Sequence, residues 1–185
     1  MKGTPAETYL RNRGCCLPSS EDLRYEPRAW HWKAQCHAPA IVSKVTDFRT
    51  NEPMTCHLTF ITEDGRPSPL VPRKMLAPGD EKRGGVIRLT DDADVTVCLG
   101  LAEGIETALT IGATGWGPVW ATIDAGNMAN LPVVPGVEAL TIFADNDSAG
   151  IKAAQALARR WVDAGREARI ALAPAAGTDW NDHAA

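Results

Sequence analysis

The second half of the chain alternates short apolar runs with segments of helical periodicity, and few folds accommodate this alternation. The apolar runs are VTVCLGLA (95–102), GPVWATI (117–123), ALTIFA (139–144) and ARIALAP (168–174). The run 95–102 is continuously apolar, as is typical of a strand that is covered on both faces. Helical spacing lies between them, at 103–113 and most clearly at 148–165. The alternation predicts an α/β fold, a parallel sheet of about four strands with flanking helices and right-handed crossovers.

The first half has a different pattern and predicts a small α+β unit. Residues 4–13 (TPAETYLRNR) are expected to form a short helix, because a threonine precedes a proline in the first turn and Gly14 follows. Residues 15–38 show no clear periodicity and are expected to be irregular. The segments 40–48 and 54–64 have strand composition with a turn-forming RTNEP between them. They predict an antiparallel meander.

An acidic, turn-like stretch, TDDAD (90–94), separates the two patterns, and we place a domain boundary there. The expected units are an N-terminal subdomain (1–94) and a C-terminal domain (95–185). A basic segment, residues 65–89, precedes the boundary and carries six cationic side chains: Arg66, Arg73, Lys74, Lys82, Arg83 and Arg88. Such a segment can hold phosphates through charge-assisted contacts, although a solvated loop would have the same composition.

Composition narrows the functional classes. The formal net charge of −4 argues against a protein that coats nucleic acid by bulk charge, although a local basic groove stays open. No apolar run reaches about 18 residues, so no transmembrane helix is expected, and the N-terminus has no apolar core of signal-peptide length. We therefore expect a cytoplasmic protein with no membrane partner, and reduced thiols at its five cysteines.

Two Cys-His pairs, Cys36-His37 and Cys56-His57, raise the question of a zinc site. Neighbouring residues point in different directions, and zinc motifs usually space their ligands by two to four residues. The interpretation that we favour is two small core thiols with neighbouring imidazoles.

Acidic residues follow three of the four predicted strands of the parallel sheet. Glu103 comes directly after the first, Asp145 and Asp147 after the third, and Asp179 and Asp182 a few residues beyond the fourth. The carboxyl ends of parallel strands meet at one edge of a sheet, which is where ligands bind. Close carboxylates repel one another, and a cation relieves that cost. Because Mg²⁺ prefers carboxylate, water and phosphate oxygens, the pattern predicts a magnesium or manganese site.

Simpler explanations exist for some of these acids. Asp147 precedes a predicted helix and could be an N-cap, and Glu103 could be an acid that the helix dipole favours. Capping explains each acid separately but not their occurrence at three strand ends. Asp124 also ends a strand, but it heads an Asp-Ala-Gly turn, and we expect it to form that turn.

Three motifs together resemble the Toprim domain. They are LAEGIETA (101–108), IFADNDSAG (142–150) and GTDWND (177–182), and the resemblance covers about residues 95–183. Toprim is the catalytic module of bacterial DnaG-type primases, phage primase-helicases, type IA and type II topoisomerases and some nucleases. EGIETAL and the DWND ending look most like the primase branch of phage and mobile-element proteins. The preceding TFITEDGRP, VPRKML and GGVIRL resemble the N-terminal half of a primase core, in which a basic segment contacts template or nucleotide.

The resemblance implies roles for the acidic residues. Glu103 is similar to a glutamate that acts in general acid/base chemistry or metal organisation, and Asp145 and Asp147 match a metal-binding pair. Asp179, together with Asn181 or Asp182, matches a later acidic motif that supports a second metal.

One position departs from the resemblance. DnaG-type primases have an acid four residues after the glutamate, where this chain has Thr107. The neighbouring Glu106 is turned by about 100° on a helix.

The implied activity is metal-dependent nucleotidyl transfer, in which short primers are made from nucleoside triphosphates on single-stranded DNA. The chain has no paired Cys-x-x-Cys zinc ribbon and no P-loop, so a replicative helicase or other domains are expected in trans, unless the chain is a fragment of a longer protein. A nuclease, which would activate water with the same acids, and a non-catalytic nucleic-acid or nucleotide-binding module are the alternatives. A topoisomerase is disfavoured, because the only tyrosines, Tyr9 and Tyr25, lie in the N-terminal segment. Trp30 and Trp32 could stack on bases or fill gaps in the core.

Overall fold

One mixed sheet of nine strands runs through the computed structural model, which describes residues 1–77 and 82–183. The strands are β1 (Leu23–His31), β2 (Cys36–Asp47), β3 (Pro53–Phe60), β4 (Lys74–Leu76), β5 (Gly85–Arg88), β6 (Cys98–Ala102), β7 (Val119–Ala121), β8 (Ala139–Ala144) and β9 (Glu167–Leu172). Their order is β4-β3-β2-β5-β7-β6-β8-β9, and β1 pairs with β2 outside this path.

Four α-helices accompany the sheet within the described residues: α1 (Pro5–Asn12), α2 (Ile105–Ala113), α3 (Ala125–Asn130) and α4 (Ser148–Asp163). Short 3₁₀ turns occur at Asp92–Asp94 and Asn181–His183. Helices α1 and α2 pack with one face of the sheet, and α3 and α4 with the other. None of these helices is long and apolar enough to cross a membrane.

The predicted parallel sheet is confirmed. Strands β7, β6, β8 and β9 are parallel neighbours. The central strands β6 and β8 are mostly buried, because α2 covers one face and α4 the other. The predicted helix at the N-terminus is confirmed as α1, which ends before Gly14 in the left-handed region (φ +67°).

The antiparallel meander is confirmed, but the prediction that residues 15–38 are irregular was wrong. Strand β1 lies inside that segment and pairs with β2, which itself begins at Cys36. The register shifts between Glu26 and Ala29, around Pro27. A bulge at a proline interrupts the alternation of inward and outward side chains, and so the strand pattern was hidden.

Strand β5 joins the two halves of the sheet. It pairs antiparallel with β2 on one side and with β7 on the other. The 3₁₀ turn Asp92–Asp94 lies within the predicted boundary at 90–94. The division into subdomains 1–94 and 95–185 stays a prediction, because one sheet continues across it.

The two Cys-His pairs cannot share one metal ion. Cys36 begins β2, whereas Cys56 pairs with Lys44, eight residues further along that strand. At about 3.3 Å per residue, this separation is about 26 Å. All five cysteines are free thiols.

Arg88 lies inside the protein at the β5 junction, which corrects the prediction that it contacts nucleic acid or nucleotide. Its Nε donates to Asp92 Oδ1 at 2.7 Å, and its Nη2 donates to the carbonyls of Asp47 and Phe48 at 3.3 Å. The guanidinium also lies 4.4 Å from the ring centre of Trp120. Because the side chain is only 6% exposed, it cannot reach a phosphate outside the fold.

We expect Arg88→Met to lower the free energy of unfolding by about 2–4 kcal/mol, because the buried carbonyl of Phe48 and the buried hydroxyl of Thr46 lose their donor. Urea unfolding measures the change. Arg83→Met is the control, since Arg83 is exposed on the turn before β5, and its effect should stay within about 0.5 kcal/mol. Equal losses in the two variants would contradict this structural role for Arg88.

Candidate active site

The carboxyl edge of the parallel sheet carries all five of the predicted acids. Glu103 follows β6, Asp145 and Asp147 follow β8, and Asp179 and Asp182 lie in the segment after β9. Their proximity shows at Asp145, whose ionisation is opposed by the charges of the other four: Glu103, Asp179, Asp147 and Asp182. The five acids therefore lie at one edge of the sheet, and their action as one metal site stays a prediction.

Asp145 is the most perturbed acid at this edge. Burial raises its pKa, and the four neighbouring carboxylates raise it further, to about 7. Its Oδ1 is inaccessible to solvent and has no hydrogen-bond partner among the described residues. A buried acceptor without a donor is costly, and a cation would satisfy that oxygen and relieve the repulsion.

Glu103 also has a raised pKa. Burial is the largest cause, and the charges of Asp147 and Asp179 add to it. The backbone N–H of Ala125 and the charge of Lys74 act in the opposite direction. A glutamate of this kind holds its proton more tightly than in water, which suits a group that exchanges protons with a substrate.

Asp147 does cap a helix, as the simpler interpretation predicted. Its Oδ1 accepts hydrogen bonds from the backbone N–H groups of Ala149 at 2.9 Å and Gly150 at 2.7 Å. The cap fixes the side chain at the N-terminus of α4, and Oδ2 takes no part in it. Capping and placement at the acidic edge are therefore compatible.

The close packing around residue 150 explains why the motif IFADNDSAG (142–150) ends in glycine. A Cβ at this position would lie 2.6 Å from the carbonyl oxygen of Asp145 and 3.2 Å from its Cβ. Real Cβ atoms do not approach backbone so closely, so the first turn of α4 can pack on Asp145 only if the residue is glycine.

Asp179 and Asp182 hold each other in place. The N–H of Asp179 donates to Asp182 Oδ2 at 3.1 Å, and the N–H of Asp182 donates to Asp179 Oδ1 at 2.9 Å. Of the two alternatives for the last position of the motif, Asp182 is exposed, whereas Asn181 is buried and donates to Thr110 Oγ1 at 2.8 Å. Asn181 therefore anchors the segment to α2.

Asn146 is a residue of the site that the sequence analysis missed. Its side chain donates to the carbonyl of Ala173 at 2.8 Å, and its N–H donates to the carbonyl of Thr178 at 2.9 Å. These bonds tie the segment after β9 to the end of β8 and so bring the last two acids to Asp145. The signal in the sequence was an amide side chain between two aspartates.

The departure at Thr107 persists in the fold. Thr107 is buried, and Glu106, also buried, is occupied by Tyr9 and Lys74. Neither side chain belongs to the acidic edge. The site therefore lacks a counterpart to the acid that DnaG-type primases have at that position.

The donor set fits a hard divalent cation in its chemistry. All five side chains supply oxygen, one oxygen has no donor, and the charges repel. Within the described residues, no three His, Cys, Asp or Glu side chains lie close enough to hold one ion as they stand. Coordination would therefore need side-chain movement toward Asp145.

The cationic side chains of the basic segment lie in different parts of the structure. Lys74 pairs with Glu106 at 2.7 Å, and Lys82 pairs with Asp124, which caps α3 as expected for a turn-forming residue. Both lysines lie beside the acidic edge, because Lys74 acts on the pKa of Glu103 and α3 begins at the Ala125 N–H near that residue.

The remaining cations of the segment have other surroundings. Arg66 pairs with Asp64 at 2.9 Å in the connection after β3, and Arg83 is exposed next to Lys82. Arg73 is partly buried, and its Nε has no partner among the described residues.

The two tryptophans of the N-terminal segment differ in exposure. Trp30 is 43% exposed, with its ring centre 5.0 Å from that of His37. Trp32 packs against a small apolar cluster around Phe60. Base stacking stays a prediction for Trp30, whereas Trp32 fills space in the core.

Fold and site together define a Toprim-type α/β module, and the comparisons with known proteins agree. Residues 98–185 match the family described as "Toprim domain", and residues 1–89 match "Domain of unknown function (DUF7146)". The chain therefore contains a Toprim domain. No curated protein matches it in sequence.

Solved primase structures share the fold of nearly the whole chain. The DnaG catalytic core superposes with a TM-score of 0.65 at 16% identity, covering 97% of this chain and 68% of that one. A DNA primase domain from Pseudomonas aeruginosa gives 0.60 at 15%, covering 96% and 66%. The Aquifex aeolicus primase, with zinc-binding and RNA polymerase domains, gives 0.59 at 18%, covering 98% and 52%. The chain thus spans between half and about two thirds of these proteins.

Proposed function

We propose that the chain is the catalytic core of a Toprim-type DNA primase, which joins nucleotides into short primers on single-stranded DNA with Mg²⁺ or Mn²⁺. The observation that carries the proposal is the position of Asp145, a half-buried carboxylate with one unsatisfied oxygen among four other acids. The shared fold with primase cores supports it. A role in DNA replication follows from this activity.

Each acid has a distinct part in the proposed reaction. Glu103, Asp145 and Asp147 act on the reacting groups, and Asp179 and Asp182 complete the metal site. Bound divalent ions would stabilise the attacking 3′-oxygen and the leaving pyrophosphate. Glu103 accepts the proton of the 3′-hydroxyl, because burial raises its pKa and makes it a stronger base than an ordinary glutamate.

Phosphate binding falls to the basic side chains outside the core. Lys74 and Lys82 lie beside the acidic edge and contact the nucleotide phosphates, while Arg66, Arg73 and Arg83 contact the template backbone. In this proposal residues 1–94 form the template-binding subdomain and residues 95–185 the catalytic domain. A helicase or further domains supply template loading.

A non-catalytic binding module is the second candidate. The residue four positions after Glu103 favours this candidate, because it is a buried threonine instead of an acid at the edge. The neighbouring Glu106 cannot replace that acid, since it is buried and hydrogen-bonded to Tyr9. Such a module would bind nucleotide or nucleic acid without forming product.

Labelled single-stranded DNA incubated with Mg²⁺ or Mn²⁺ and all four NTPs or dNTPs tests the proposal. We expect short products that need nucleotides and disappear in an Asp145→Asn/Asp147→Asn variant. Asparagine at 147 keeps the helix cap, whereas alanine would cost about 1 kcal/mol of stability and confuse the result. Metal-dependent shortening of the DNA without nucleotides would establish a nuclease instead. Binding without either product would establish the non-catalytic module.

A further inference from the structure

Glu106 is a buried carboxylate directly beside the acidic edge but not part of it. Its Oε1 accepts a hydrogen bond from the hydroxyl of Tyr9 at 2.8 Å, and its Oε2 accepts one from Lys74 Nζ at 2.7 Å. The three residues come from α1, β4 and α2, so they connect the N-terminal unit to the Toprim domain. We call Tyr9, Lys74 and Glu106 the lysine clamp.

The clamp is asymmetric in exposure. The side chain of Glu106 is 6% exposed, whereas that of Lys74 is 38% exposed. The acid is therefore closed to any ligand, while the cation that it holds is open. A lysine ammonium has three N–H donors, and among the described residues the structure shows one of them donating to Glu106.

Glu106 stays ionised near neutral pH. Burial alone would raise the pKa of Glu106, but the charge and hydrogen bond of Lys74 and the hydroxyl of Tyr9 lower it to about 2. Burial and the charge of Lys74 lower the pKa of the neighbouring His57 to about 4. The imidazole is therefore neutral, and Lys74 is the cation that faces Glu106.

The Lys74 ammonium is the member of the clamp whose charge acts on the acidic edge. It is close enough to Glu103 to oppose the rise in that residue's pKa. A cation in this place faces whatever anionic group the acidic edge receives. A partly exposed ion pair adds little to the stability of a fold, so stability alone does not explain why Lys74 is held in this place.

We propose that Glu106 and Tyr9 are positioning residues, which hold the Lys74 ammonium at the acidic edge so that it binds a phosphate of the nucleotide or of the nucleic-acid backbone. The inference rests on the proposed function for the identity of its ligand. It adds two residues, Glu106 and Tyr9, that are not among the five acids of the Toprim motifs. It assigns the glutamate next to Thr107 to phosphate binding through Lys74 rather than to a metal.

A double-mutant cycle on binding tests the proposal. ATP with Mg²⁺ and an oligothymidylate are titrated separately by calorimetry, and the two titrations distinguish the sources of the phosphate. Lys74→Met and Glu106→Gln should each weaken binding of one of these probes about tenfold, the value of one charge-assisted hydrogen bond. The variant with both substitutions should bind no more weakly than Lys74→Met alone. Asp22→Asn, which breaks the Lys44–Asp22 pair, is the matched control and should bind as wild type.

Two further variants protect the test against misfolding. Tyr9→Phe leaves the ion pair intact, and it should weaken binding two- to threefold only while Lys74 is present. Thermal melting monitors the fold of every variant. Additive losses in the cycle, unchanged binding by folded Glu106→Gln or Tyr9→Phe, or wild-type protein that binds neither probe would overturn the inference. Coupled binding without primer synthesis would reject only the primase activity, and primer synthesis with unchanged Glu106→Gln binding would reject only the clamp.

Discussion

Asp145→Asn is expected to abolish metal-dependent activity and at the same time to raise the melting temperature of the metal-free protein. Loss of the central carboxylate should reduce the rate by about 10²–10³-fold or more, the usual cost of removing one stabiliser of transition-state charge. The amide removes the repulsion by four neighbouring acids and can donate a hydrogen bond where the carboxylate had none. A gain of about 1 kcal/mol corresponds to about 2–4 °C for a chain of this size.

The raised pKa of Asp145 also makes the stability of the protein depend on pH. The pKa of Asp145 is about 7 in the folded protein against 3.8 when unperturbed. Between these values the folded state binds more protons than the unfolded state, so this group makes the protein less stable as the pH rises from about 4 to 7. The Asp145→Asn variant should lack that part of the decline.

Thermal melts across this pH range, with and without Mg²⁺, measure both effects. Mg²⁺ should raise the melting temperature of wild-type protein, because an ion that binds only the folded state stabilises it, and should have little effect on Asp145→Asn. Glu21→Gln is the control, because Glu21 is an exposed acid that is distant in sequence from Asp145. A variant that melts lower than wild type, or that responds equally to Mg²⁺, would show that Asp145 is not the centre of the site.

Gly150→Ala is expected to damage the site through the backbone rather than through charge. The added Cβ would lie 2.6 Å from the carbonyl oxygen of Asp145, so that α4 or the end of β8 must move. Overpacking of this kind costs about 1–3 kcal/mol. Because the displaced atoms belong to Asp145 itself, we expect activity to fall about tenfold or more even where the protein stays folded.

Gly104→Ala is the matched control, since both glycines lie at the start of a helix that follows a strand of the parallel sheet. A Cβ at Gly104 would lie 3.9 Å from its nearest neighbours, Glu106 Oε2 and Thr107 Oγ1, which is ordinary contact. Gly104→Ala should unfold at a slightly lower urea concentration than wild type, because alanine is a poorer N-cap of α2 than glycine, whereas Gly150→Ala should unfold much earlier. Equal stability of the two variants would mean that α4 does not pack on Asp145 as described.

Local patterns were sufficient for the Toprim half of the fold. The four apolar runs predicted β6, β7, β8 and β9. Strands β6, β7 and β8 are mostly buried, as a continuous apolar run indicates, whereas β9 at the edge of the sheet is largely exposed. The acids at the strand ends were visible for the same reason, since the carboxyl ends of parallel strands meet at one edge. Asp147 as a helix cap and Asp124 as a turn-forming residue also follow from local chemistry.

Other features depended on which elements pack together. A bulge around Pro27 hid β1, because it interrupts the alternation of inward and outward side chains by which a strand is recognised. In the sequence, Arg88 resembles the other cations of the basic segment. In the fold it lies on β5, which pairs with β2 and β7, and its side chain is buried there. Glu106 looked like a displaced site acid, but α1 and β4 bring Tyr9 and Lys74 to it. Burial and partners of a charged side chain are properties of contacts between distant segments, and only the tertiary structure determines them.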